Sequence, residues 1–284
     1  MLGKLISWLR GQPPAAGLSD ALWQTTIGAL PFLAGLNEDE KKRLRGLTES
    51  FLAEKEFTSA GGLELTDAMC VSIAVQGCLP ILNLGLDHYR GWVGIIVYPD
   101  EFVIPRSIED EFGVVHEYDD VASGEAWEGG PLLISWRDAQ MAGSGYNVVI
   151  HEFAHKLDML NGPPDGMPPL PLEMSRPAWE DTLLAAYDDF CRQVDEAEER
   201  NDETALDPYA AENPGEFFAV MSETFFETPE VLLQIYPALY RQLSTFFRQD
   251  PVARQSHTDP KGDQPCRNNA SNASIGNGLA NRKP

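Results

Sequence analysis

His151 and His155 stand four residues apart, with Glu152 directly after the first, in the run Asn147-Val148-Val149-Ile150-His151-Glu152-Phe153-Ala154-His155-Lys156-Leu157-Asp158. On an α-helix, side chains at that spacing lie on one face about a turn apart, so both imidazoles can reach a single ion. A carboxylate beside the first ligand can lean over the open side of that ion and take a proton from water. This His-Glu-x-x-His pattern points to a zinc hydrolase with one Zn2+ per chain. The chain has only five histidines, and the other three (His88, His116 and His257) lie apart, the first two beside charged neighbours as solvated side chains do. Burying two imidazoles and two carboxylates without a partner would be costly, and a divalent cation removes that cost.

The elements that must position these groups are readable from pattern. The apolar, mostly β-branched stretch from Tyr146 to Ile150, continued by Leu157 and Leu160, predicts a buried helix over residues 146–160. A strand over residues 129–136 precedes it across the turn Gly143-Ser144-Gly145; it can border the cleft and offer an unpaired edge to an extended peptide, or lie inside the sheet. Residues 92–98 read as a central strand, with shorter ones over 102–104 and 112–115. Helices are predicted from near Ser19, from the cap Asn37-Glu38-Asp39-Glu40, over 66–76 and over 178–200, the last ending in a solvated acidic cluster. Beyond the proline-rich loop 163–171, Asn213 as N-cap and Pro214 at the first helical position start a helix running to about Glu227. Residues 231–247 predict one last amphipathic helix. Separate runs of helices and strands make the fold class α+β, mainly helical.

A catalytic zinc takes a third protein ligand and keeps a position for water. Glu216 and Glu223, seven apart, share a face with Ala219 and Val220, which turns both carboxylates inward. Asp158 lies on the face of His151, where accepting a ring N–H suits it better than ligation. Glu216 also stands where it could close a capping box on Asn213. Spacing leaves Glu216 and Glu223 both open as the third ligand.

The run from His151 to Asp158, together with Tyr209 and Asn213-Pro214-Gly215-Glu216-Phe217-Phe218-Ala219-Val220-Met221-Ser222-Glu223, resembles the Mlc titration factor A family of bacterial zinc peptidases. These are gluzincin-like proteins whose catalytic part is similar to that of anthrax lethal factor. In that family a tyrosine stands seven residues before the ligand glutamate, as Tyr209 stands before Glu216. The resemblance implies a zincin-type fold with a small mixed sheet beside the metal helix. It also implies His151, His155 and Glu216 as zinc ligands, Glu152 as general base and Tyr209 as a donor to the oxyanion. The implied protein is a zinc-dependent peptidase of aminopeptidase type that also binds and sequesters the Mlc glucose repressor, so regulating the glucose phosphotransferase system. The alternative is a repressor-binding regulatory protein whose zinc site is mainly structural or is activated only on partner binding.

Composition bounds the rest. A formal net charge of −23 repels phosphate backbones, which argues against direct nucleic-acid binding and favours a basic protein or peptide partner. Four cysteines without a C-x-x-C pair suit reduced thiols in the cytoplasm. No apolar stretch reaches membrane-spanning length, and the short amphipathic run of residues 1–10 suits docking on the protein's own surface better than a membrane. The expected organisation is an N-terminal segment and linker over residues 1–17, a single catalytic domain with an N-terminal helical part over 18–250, and a disordered tail over 251–284.

Overall fold

The computed structural model describes residues 18–109 and 115–256. Ser19 caps α1 (Asp20–Gly28), and α2 (Glu38–Glu54) starts on a full capping box, in which Asn37 Oδ1 accepts from Glu40 N at 2.9 Å and Glu40 accepts from Asn37 N at 3.0 Å. A strand that sequence pattern did not announce follows, β1 (Glu56–Ser59), then α3 (Asp67–Cys78), buried along nearly all of its length. Four strands come next, β2 (Gly94–Tyr98), β3 (Phe102–Glu109), β4 (Val115–Ala122) and β5 (Gly124–Ala126), followed by β6 (Leu132–Ser135) and the single turn α4 (Trp136–Ala139). The metal helix of the sequence reading is α5 (Val148–Asp158), after which come α6 (Arg176–Arg200), α7 (Pro214–Glu227), α8 (Pro229–Ile235), α9 (Pro237–Phe247) and α10 (Pro251–Ser256).

The sheet is small and mixed. In the order β1-β2-β6-β5, the first three strands are parallel and β5 runs antiparallel on the edge, while β3 and β4 form a separate antiparallel hairpin. All four residues of β6 are buried, as continuous apolar strands inside a sheet are. Of the two alternatives for the strand before the metal helix, it takes the inner one, and the edges of the sheet are β1 and, beside β6, β5. Behind α5, Phe153 packs against Phe51, Tyr89 and Trp92 with ring centroids 5.0–5.9 Å apart. On the α3 side there is no spare room, since a Cβ added to Gly77 would lie 2.4 Å from the Phe153 ring. This packing fixes one face of α5 so that the other can face the cleft.

Several boundaries differ from expectation; the strands expected over 102–104 and 112–115 run on to Glu109 as β3 and to Ala122 as β4. The helix predicted over 231–247 is two, because Pro237 has no N–H to give and its ring clashes with the preceding turn, so the chain breaks at Tyr236 and restarts with Pro237 in the first helical turn. Order also extends past residue 250. Asp250 Oδ1 accepts from Ala253 N at 3.1 Å to start α10, and Arg254 places its guanidinium on Glu40 at 2.8 Å and 3.0 Å. Six residues are too few for periodicity to reveal, which is why this segment read as tail. The expected N-terminal amphipathic segment, strand residues 112–114, His257 and Cys266 lie outside the described residues. Among the described residues no helix is long and apolar enough to cross a membrane.

Candidate metal centre and cleft

Two helix starts aim the polar groups. Asn147 caps α5 through Oδ1, which accepts from Ile150 N at 2.9 Å, and Asn213 caps α7 in the same way from Glu216 N at 3.0 Å. Glu216 does not close a capping box. Its carboxylate turns away from Asn213 towards α5, where Oε2 lies 3.0 Å from His151 Nε2 and 3.2 Å from His155 Nε2. The two Nε2 atoms are 3.1 Å apart, and both rings are buried. Ligand atoms held tetrahedrally at the usual zinc bond lengths stand roughly 3.3 Å from one another. The triangle here has that size to within a few tenths of an ångström. Among the described residues His151, His155 and Glu216 are the one such metal-sized group of histidine, cysteine and carboxylate side chains.

The charge pattern favours a cation at that point. His151 turns Nδ1 to Glu223 Oε1 at 2.6 Å, which leaves its Nε2 directed at the other two ligand-type atoms. Burial opposes protonation of His151, but Glu216 and Glu223 outweigh it and raise its pKa well above the ordinary value. Burial likewise disfavours the Glu216 carboxylate, yet hydrogen bonds from both imidazoles hold it well below the usual carboxylate range. Two imidazole nitrogens and a carboxylate oxygen converging in a buried space, with acids behind them, suit a divalent metal ion by the chemistry of the set alone.

Glu223 is the carboxylate that orients a ring, and its Oε2 also accepts from Asn147 N at 2.8 Å. Asp158 does not do this. It accepts from Gly166 N at 2.7 Å and so ties the proline-rich loop to α5. Glu227, one turn beyond Glu223, was not anticipated; it accepts from Asn147 Nδ2 at 2.8 Å and from Gly143 N at 2.8 Å. The signal was present, since 216, 223 and 227 fall on one face of α7. That face carries Glu223 and Glu227, which both bond Asn147 at the start of α5.

Glu152 lies beside the metal group, only 4% exposed. Burial first, then Glu216, Glu125 and Glu223, push its carboxyl up to about 8 against the pull of His151. Its side chain presses on β5, where a Cβ on Gly124 would stand 2.4 Å from Oε1. Tyr209 sits in the 3-10 turn Pro208–Ala211, half-exposed, with its ring centroid 6.1 Å from that of His151; burial raises its phenol's pKa, keeping it a neutral donor. Glu152, Tyr209, the three metal-group residues and Gly124 line a cavity of about 480 Å³. His88 is not part of it; its Nδ1 lies 3.3 Å from Gly85 O in a separate 3-10 turn.

A mainly helical α+β protein with a buried His-His-Glu group on the floor of a cleft has the make-up of a metallopeptidase. The chain belongs to the glucose-regulated metallo-peptidase M90 family, whose pattern matches residues 6–248. It is 41% identical over 250 residues to Mlc titration factor A of Serratia proteamaculans (strain 568), covering 87% of this chain and 93% of that one. It is 40% identical over 239 residues to Mlc titration factor A of Salmonella arizonae (strain ATCC BAA-731 / CDC346-86 / RSK2980), covering 83% and 94%. The protein of that name from Yersinia enterocolitica serotype O:8 / biotype 1B (strain NCTC 13174 / 8081) is 39% identical over 250 residues, covering 87% and 91%.

Proposed function

We propose that this chain is a zinc-dependent peptidase of aminopeptidase type, with one Zn2+ held by His151, His155 and Glu216. The observation that carries the reading is the triangle of donor atoms 3.0–3.2 Å apart with the unpartnered Oε2 of Glu152 beside it. Zinc at that point would supply Lewis acidity, making a water acidic near neutral pH and polarising a peptide carbonyl. Glu152, whose carboxylate a divalent cation there would favour against the neighbouring acids, is the general base, taking the proton of the attacking water and later giving it to the departing amine. The Tyr209 phenol donates to the oxygen on which negative charge develops, its exposure leaving the ring free to swing over the cleft. An extended substrate runs along the edge strand β5, and the acidic cleft wall, Asp120 and Glu125 included, attracts a free amino terminus.

The relatives are named for titration of Mlc. We infer that this chain binds and sequesters the Mlc repressor in the cytoplasm and so regulates the glucose phosphotransferase system. A net charge of −23 supports that reading, since a DNA-binding partner carries a basic face. The peptidase assignment is tested by Glu152→Gln in the full chain. Metal content stays at one per chain and hydrolysis of amino-acid amides and quenched peptides falls about 10²–10⁴-fold. Turnover equal to the parent's would overturn it.

A further inference from the structure

We infer that Lys156 is a positioning residue for the reaction at Glu152, its ammonium holding the β5–β6 turn on α5 and so keeping the edge strand against the general base. The inference rests on the peptidase reading above. Glu152 and Lys156 are four apart and therefore share a face of α5, in the order that favours an ion pair on an ordinary helix. They are not bonded to each other. Lys156, 3% exposed, reaches instead into the turn between the two strands, with Nζ 2.6 Å from Trp127 O, 2.9 Å from Gly130 O and 3.4 Å from Pro131 O.

An ammonium has three N–H donors and no acceptor, so the carbonyls of one turn take all of them. The Trp92 ring covers another side at 4.9 Å from Nζ to the centroid. The turn is closed on itself, with Gly130 N donating to Trp127 O at 3.0 Å and Trp127 N to Pro131 O at 3.2 Å. Those bonds join the turn to the end of β5 and the start of β6.

That strand needs an anchor. β5 is three residues long, pairs only with β6 within its sheet, and has Gly124 opposite Ile134 and Ala126 opposite Leu132. So short an edge is weakly fixed by its own ladder. α5 grips it at two points a helical turn apart: the Glu152 carboxylate lies on Gly124, and Lys156 holds the turn just past Ala126. Together the two contacts set one quantity, the spacing of the edge from the base. An apolar side chain could fill the slot without the desolvation cost of an ammonium, but it could not gather three carbonyls at one point.

The test uses the full, zinc-loaded chain. Lys156→Met keeps zinc stoichiometry and melting temperature near the parent's, accelerates hydrogen exchange across residues 124–131, and lowers kcat/KM on a quenched peptide about tenfold to a hundredfold. Gly124→Ala produces a similar loss from the other contact, and the double variant is no worse than the poorer single one because both act through the same spacing. Lys156→Gln, which keeps two donors, recovers part of the rate. Additive losses in the double variant, or unchanged exchange at 124–131 in Lys156→Met, would overturn the inference. So would a general rise in exchange with loss of zinc, which marks a purely structural pin. Should the parent turn over no peptide, the peptidase reading fails by itself, while the exchange data still judge whether Lys156 holds the edge.

Discussion

Replacing Glu223 by Gln changes one oxygen for an NH2 group at nearly constant shape, and the surroundings make that change costly. The carboxylate accepts two N–H groups at once, from His151 Nδ1 at 2.6 Å and from Asn147 N at 2.8 Å. A primary amide offers a single acceptor oxygen. Whichever way the Gln side chain is turned, its own N–H faces another N–H, either on the imidazole or at the cap of α5. Turned one way, the His151 ring loses the partner that sets its tautomer; turned the other, the first residue before the helix is pushed out. Loss of such an orienting carboxylate lowers metal affinity about 10–100-fold, or roughly 1.4–2.8 kcal/mol. Competition against a chromogenic chelator at fixed pH reads this directly, with Glu216→Ala as the comparison that removes a donor outright and must weaken binding more. A Glu223→Gln protein that binds zinc as tightly as its parent would refute the reasoning.

Zinc uptake near pH 7 releases a proton. Burial opposes charge on His151 but Glu216 and Glu223 raise its pKa above the ordinary 6.5, so below that raised pKa the metal must displace a proton from the ring and apparent affinity climbs with pH. Calorimetry in buffers of different ionisation enthalpy detects it, and a heat of binding independent of buffer contradicts it. Gly77→Ala drives a Cβ to 2.4 Å from the Phe153 ring and overpacks the α3–α5 contact, costing about 1–3 kcal/mol; thermal melting shows it as a drop of several degrees, and an unaltered melting point means the two helices are not so close.

What could be read from the chain depended on how local each feature is. His151, Glu152 and His155 belong to one helix, so their common face follows from the helical repeat, and the Asn213-Pro214 start gave α7 its phase and turned Glu216 and Glu223 to one side. Choosing between those acids is a matter of how α7 crosses α5, which no spacing within α7 contains. The partner of Asp158 is hidden for the same reason, because Gly166 reaches it by a loop that doubles back. β5 had no signature at all. Gly124-Glu125-Ala126 neither alternates nor carries β-branched residues, and it is a strand because β6 lies beside it. Lys156 read as the continuation of a helix, since its three carbonyl partners are 25–29 residues away. Pro237 signals the break between α8 and α9, although the apolar stripe continues across it.

The most direct test is an anomalous difference map from crystals of the zinc-loaded protein, with data on both sides of the zinc edge. The account predicts one peak per chain, about 2.0–2.1 Å from Nε2 of His151, Nε2 of His155 and a carboxylate oxygen of Glu216. A map without that peak, or a zinc ion held by a different set of side chains, would contradict it.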